Sequence, residues 1–146
     1  MMKLSTKGRY ATRIMVYLAM QQQGVPCRKQ EIAEAEGISA DYVEQILIRL
    51  KAAGLVTSHR GARGGFSLTR PPAGVTVEEV LQATEGPVML VACHDEGCVR
   101  ETICVTRHIW RAAEAALSEV FAGTVIADLA KEAHEMQESK SLTYDI

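Results

Sequence analysis

The hydrophobic period of the chain first changes at Gly54, from helical to strand-like, and that change restricts the fold more than any other feature. Before Gly54, apolar residues recur at helical spacing. Ala11, Ile14, Met15 and Leu18 mark a stripe in a segment from Thr6 to Gln23. Ile32 and Ala33 mark a second, short segment from Arg28 to Glu36, and Val43, Ile46, Leu47 and Leu50 a third that runs to Ala53. Gly24-Val25-Pro26 stops the first segment, and Gly37 stops the second by supplying the left-handed conformation of a sharp turn. Ser39 stands where an N-cap belongs, and Asp41 adds negative charge to the first turn that follows. Beyond Gly54 the pattern is that of strands. Residues 55–59 and 65–69 are short and alternating or β-branched, and Arg60-Gly61-Ala62-Arg63-Gly64 lies between them. This predicts a two-stranded hairpin with a basic, glycine-rich tip, ended by Pro71-Pro72.

The remainder reads as helical with one interruption. Thr76-Val77-Glu78-Glu79 is a capping box that opens a helix to about Glu85, and Gly86-Pro87 breaks it. Residues 88–104 form a cysteine-bearing loop. A longer helix is expected from Val105 to Ala122, with Ile109, Ala113, Ala116, Leu117 and Val120 on one face. Gly123 punctuates it, Thr124 is placed to cap a last helix to about Gln137, and the polar tail from Ser139 is expected to fray. Aromatic residues are only 5% of the chain, so the core is built of Ala, Val, Leu and Ile, which favours packed helices over a β-sandwich. The expected fold is mainly α. A winged helix-turn-helix unit (1–72) precedes a linker helix and cysteine loop (73–104), then long C-terminal helices (105–137) and a tail (138–146). The longest apolar run, Ile14 to Met20, is seven residues. A bilayer span needs about 20, so no membrane partner is expected. The first residues lack the pattern of a secretory signal, so a cytoplasmic location is expected, with the four cysteines in a reducing compartment.

Charge is distributed unevenly along the chain. Residues 1–70 hold eleven Lys/Arg against five Asp/Glu, a balance of +6; residues 71–146 hold five against thirteen, a balance of −8. A basic half joined to an acidic half suggests that the first half meets a polyanion. Helix, helix, glycine turn, helix and basic hairpin is the order of a winged helix-turn-helix, in which one helix enters the major groove of duplex DNA. Ser39, Asp41, Glu44 and Gln45 are the candidate base readers. Gln pairs with adenine, and Glu accepts from the cytosine amine. Thr6, Lys7, Arg9, Arg28, Arg60 and Arg63 are candidate phosphate contacts. Tyr42, Arg49 and Gly61 complete the interface.

Cys93, Cys98 and Cys104 are spaced C-x4-C-x5-C in a loop that also holds Asp95, Glu96 and Gly97. Three thiols within twelve residues suit a soft metal, and by residue type alone an iron–sulfur cluster and zinc are equally served. A plain loop with free thiols, or a Cys98–Cys104 disulfide, is the alternative. Cys27 stands alone and reads as packing. No C-x-x-C pair, thioredoxin-like pattern or Ser/His/Asp set is present, so no enzyme is expected.

Several blocks in order resemble one family. They are residues 3–11 (KLSTKGRYA), Gly37-Ile38-Ser39 followed by residues 42–47 (YVEQIL), Gly54-Leu55-Val56, and residues 60–66 (RGARGGF). They are similar to the Rrf2 family of bacterial transcription regulators over nearly the whole chain, from Met2 to Gln137. The resemblance implies a homodimer paired through its long C-terminal helix on a roughly palindromic DNA operator. It also implies an iron–sulfur cluster, of two-iron or four-iron type, held by Cys93, Cys98 and Cys104. The fourth ligand departs from the pattern. The family's cluster-bearing members place a histidine three residues after the last cysteine, where this chain has Arg107, with His108 one position later. A shared helix face for Cys104 and His108, at i and i+4, makes His108 the candidate. Nitric-oxide-sensing members can use an acidic residue that aligns with Arg9, which cannot ligate; His94, Asp95 and Glu96 are local options. The function this implies is a regulator whose operator binding follows redox state, nitric oxide or iron–sulfur supply. The alternative is a zinc-bound or cluster-free regulator of the same fold, controlled by a partner protein or small molecule.

Overall fold

The computed structural model describes residues 3–94 and 97–144. Six α-helices and one antiparallel strand pair follow in the order α1 (Thr6–Met20), α2 (Lys29–Glu36), α3 (Ala40–Ala52), β1 (Val56–His59), β2 (Gly65–Leu68), α4 (Val77–Glu85), α5 (Arg107–Gly123) and α6 (Ile126–Tyr144). The three stripes read from the sequence form one core. Ile14, Met15, Ile32, Val43, Ile46, Leu47 and Leu50 are fully shielded from solvent. The caps lie where local chemistry places them. Ser39 Oγ accepts from Tyr42 N at 3.2 Å to open α3, Gly37 closes α2 at φ 66°, and Thr76 and Glu79 cap α4 reciprocally.

The hairpin pairs Val56 with Leu68 and His59 with Gly65. It is also tied to the α1–α2 connection. Cys27 N donates to Phe66 O and Phe66 N to Cys27 O, both at 2.8 Å. Gly65 makes this approach possible. A Cβ there would stand 2.4 Å from Cys27 O, on a backbone with φ of +152°. Gly65→Ala is therefore expected to cost about 1–3 kcal/mol in backbone strain alone, measured as a lowered Tm in thermal unfolding.

Four helix limits differ from the sequence expectation. α1 ends at Met20 rather than Gln23, because Gln21 turns extended and donates its N–H to Leu18 O. α5 begins at Arg107 rather than Val105. Thr124 closes α5, donating to Val120 O at 2.8 Å, instead of opening α6. α6 in turn does not stop at Gln137 but runs to Tyr144. No Gly or Pro follows Gly123 to break it, and Ser139 and Thr143 return their hydroxyls to carbonyls one turn back.

α6 joins the core of the first half. Ile126 is fully buried, in one hydrophobic cluster with residues of α1, α2, α3 and α4, and α6 packs against α1. Its entry is held by backbone bonds from Val77 N to Thr124 O at 2.9 Å and from Ile126 N to Val75 O at 2.8 Å. α5 contributes no buried residue, and Ile109, Trp110 and Val120 are exposed along it. Among the described residues, no helix is long and apolar enough to cross a membrane.

Candidate nucleic-acid interface and cysteine loop

α3 turns its apolar stripe inward and leaves Asp41, Glu44, Gln45 and Arg49 exposed. Ser39 is also exposed, but its hydroxyl already serves the cap. Tyr42 is half-buried; its ring meets Tyr10 edge-on at 5.9 Å. Arg13 lies over Tyr10 at 5.0 Å and pairs with Glu36 at 2.7 Å. This chain of contacts braces the third helix against the first two. Glu44 is held by Lys29, with Nζ and Oε2 2.7 Å apart. That hydrogen bond, aided by the charges of Glu44 and Asp41, raises the Lys29 ammonium above its ordinary range.

The wing tip is open to solvent at Arg60, Gly61, Ala62 and Arg63. Arg28 Nη2 donates to Ala62 O at 2.8 Å and joins the start of α2 to the tip. On α1, Thr6 and Arg9 are exposed and Lys7 is half-buried. The residues predicted to contact DNA are thus carried by four segments: the start of α1, the start of α2, α3 and the wing. Two residues of this surface escape a sequence reading. Lys29 has no local signal, because its partner lies fifteen residues away. Ile48 is 62% exposed on α3, and its only signal is an apolar residue out of phase with the buried stripe. In a major groove such a side chain packs on a thymine methyl.

Cys93 sits in a single 3-10 turn, Ala92–His94. Cys93 is exposed, Cys98 and Cys104 are half-buried, and all three thiols are free. Among the described residues, no three His, Cys, Asp or Glu side chains converge as a metal site; Asp95 and Glu96 lie outside the described residues. The shared helix face expected for Cys104 and His108 is absent, because α5 starts only at Arg107. His108 is exposed. Arg107 pairs with Glu101, and Leu90 N donates to a Glu114 carboxylate oxygen at 2.7 Å, so both flanks of the loop are tied to α5.

The Cys104 thiol is lowered from its ordinary range, first by the Thr106 hydroxyl, whose Oγ1 lies 3.4 Å from Sγ, then by backbone N–H groups and the Arg100 charge. The Cys27 thiol is raised, by burial first and Glu31 second. Only the thiolate is alkylated, so reactivity rises as pH passes through the thiol's pKa. Thr106→Val is expected to move the alkylation midpoint of Cys104 to higher pH, read by peptide mass spectrometry of reduced, metal-free protein.

Comparison with known proteins places this geometry. The family model described as "Rrf2: Iron-dependent Transcriptional regulator" matches residues 4–132. The HTH-type transcriptional regulator IscR of Aliivibrio salmonicida is 38% identical over 129 residues, covering 88% of this chain and 77% of the relative. The structure of CymR (YrzC), the global cysteine regulator of B. subtilis, superposes with a TM-score of 0.78 at 35% identity, over 90% of this chain and 98% of that one. T. potens IscR superposes with a TM-score of 0.77 at 34% identity, over 93% and 91%. A cap-for-cap helix-turn-helix, a basic wing and a family match across residues 4–132 leave one conclusion: this chain belongs to the Rrf2 family of DNA-binding transcriptional regulators and is not an enzyme.

Proposed function

We propose that the protein is a homodimeric regulator whose hold on a palindromic operator depends on an iron–sulfur cluster bound by Cys93, Cys98 and Cys104, with His108 as fourth ligand. The carrying observation is the placement of three free thiols on the one connection between the winged unit and α5, whose apolar face is exposed. The donor set fits the group chemically. Thiolates are the usual ligands of iron–sulfur clusters, and the surroundings of Cys104 favour the thiolate. A relative named IscR and a family model described as iron-dependent support the same reading.

Each part of the chain then has a task. Residues 1–72 read the duplex. Asp41, Glu44, Gln45 and Arg49 face the base edges, with Ser39 and Tyr42 at the head of the helix. Thr6, Lys7, Arg9, Arg28, Arg60, Gly61 and Arg63 hold phosphates. Residues 105–137 pair the two copies, with Ile109, Trp110 and Val120 covered in the dimer. Residues 73–104 sense: a bound cluster supplies an iron centre sensitive to oxidants and nitric oxide. Drawing the three sulfurs together moves residues 98–106. The Glu101–Arg107 pair passes that movement to the first turn of α5, and so to the spacing of the two α3 helices. A coupling of this kind is typically worth about 1–3 kcal/mol.

A second reading has support of its own. The sulfurs do not converge among the described residues, and a solved neighbour is named as a cysteine regulator. On that reading the chain holds no cluster and answers to a partner protein or small molecule. Anaerobic isolation separates the two. Brown protein containing iron and acid-labile sulfide, with a gel shift that changes after oxygen or nitric oxide, supports the cluster. Colourless protein, with or without zinc, that shifts DNA equally before and after treatment supports the second reading. Sedimentation that shows only monomer rules out the pairing.

A further inference from the structure

The start of α2 touches both elements that read DNA, through adjacent residues. Arg28 Nη2 donates to Ala62 O at 2.8 Å, and Ala62 lies between Arg60 and Arg63 at the wing tip. Lys29 Nζ donates to Glu44 Oε2 at 2.7 Å, and Glu44 lies between Asp41 and Gln45 on α3. The base on which they stand is itself fixed. Arg28 N donates to Glu31 Oε2 at 2.7 Å, and Cys27, one residue earlier, is stitched to Phe66 by two backbone bonds. Both basic side chains would read as phosphate contacts by residue type, yet each has an acceptor inside the protein.

We propose that Arg28 and Lys29 are positioning residues, a two-armed clamp that sets the distance between the wing and α3 before DNA is met. The clamp adds little to stability, because solvent-exposed charge pairs contribute only about 0–1 kcal/mol. Its effect is on preorganisation: groups already at their binding positions do not lose freedom when the duplex arrives. Arg28 suits the wing arm because its planar fork carries five N–H donors, so one arm can serve Ala62 O while others serve a phosphate. A lysine's compact ammonium has three donors but no planar fork that aims them at two separated acceptors. Lys29 suits the other arm because it holds one Glu44 oxygen and offsets the negative charge that would repel the phosphates, while the second oxygen faces a base-edge donor. The arms therefore differ in consequence: the wing arm governs affinity and the helix arm governs discrimination.

The inference rests on α3 and the wing as the reading elements, and the test treats the two ideas separately. Duplexes are first selected from a random pool by the wild-type protein. Anisotropy titrations across a salt series then compare a selected duplex with a scrambled one. Arg28→Lys keeps the charge. It is expected to weaken the selected duplex about tenfold and to speed amide exchange at residues 60–64 in the DNA-free protein. Lys29→Met is expected to lower the ratio of selected to scrambled affinity about fivefold, and to have no such effect in a Glu44→Gln background. Arg28→Lys matching wild type in affinity and exchange overturns the clamp. So does Lys29→Met weakening both duplexes by one common factor in either background, which is the behaviour of a bare phosphate contact. Wild-type protein that enriches no duplex overturns the clamp together with the reading beneath it. Equal Tm values for the variants exclude misfolding as the cause.

Discussion

Replacing Arg60 and Arg63 together with alanine is expected to weaken operator binding about a hundredfold at near-physiological salt, and to lower the slope of log affinity against log salt by about one for each phosphate that is no longer neutralised. Both residues are exposed at the wing tip, and neither belongs to the buried core, so the fold should survive. The weakening should be of similar size on selected and scrambled duplexes, since phosphate contacts carry no sequence information. Gel shifts or anisotropy titrations over a salt series measure it, with iron and sulfide content as the control that should not move. An unchanged salt slope would remove the wing from the interface.

The second large effect concerns the loop. Cys104→Ala is expected to abolish the visible absorbance of the anaerobically isolated protein and most of its iron and acid-labile sulfide, and with them the response of DNA binding to oxidant or nitric oxide. Cys104 is only half-buried and precedes α5, so its replacement should leave the Tm near that of wild type. Cys27→Ala is the informative control. That thiol, on the α1–α2 connection where it pairs with the wing, is buried at 6% exposure, so its removal should lower the Tm and leave the iron in place. Retention of the full iron and sulfide complement by Cys104→Ala would end the ligand assignment.

Short-range signals carry most of the reading unit. Ser39 and Gly37 each act within a few residues, as does the Thr76–Glu79 box, and each lies where its chemistry requires. The buried stripe of α3 is likewise the one its period predicts. What escapes is pairwise and distant. Lys29 finds Glu44, Arg28 finds Ala62 and Cys27 finds Phe66 across fifteen to thirty-nine residues. No window of sequence holds both partners. The limits of α5 and α6 escape for another reason. Thr124 can cap forward or backward, and tertiary packing of Ile126 chooses backward. The cysteines are legible as a spacing but not as a site, because among the described residues their side chains do not converge with other metal ligands.

The burial of Ile126 bears on synthesis at the ribosome. The DNA-reading head lies in residues 1–72, yet its hydrophobic interior closes only when residue 126 has left the exit tunnel. Until then the nascent chain shows an uncovered apolar seam on α1 and beside residues 72–75. A messenger cut short between codons 86 and 125 would thus yield a sticky, degradable fragment rather than a small, stable DNA-binding unit.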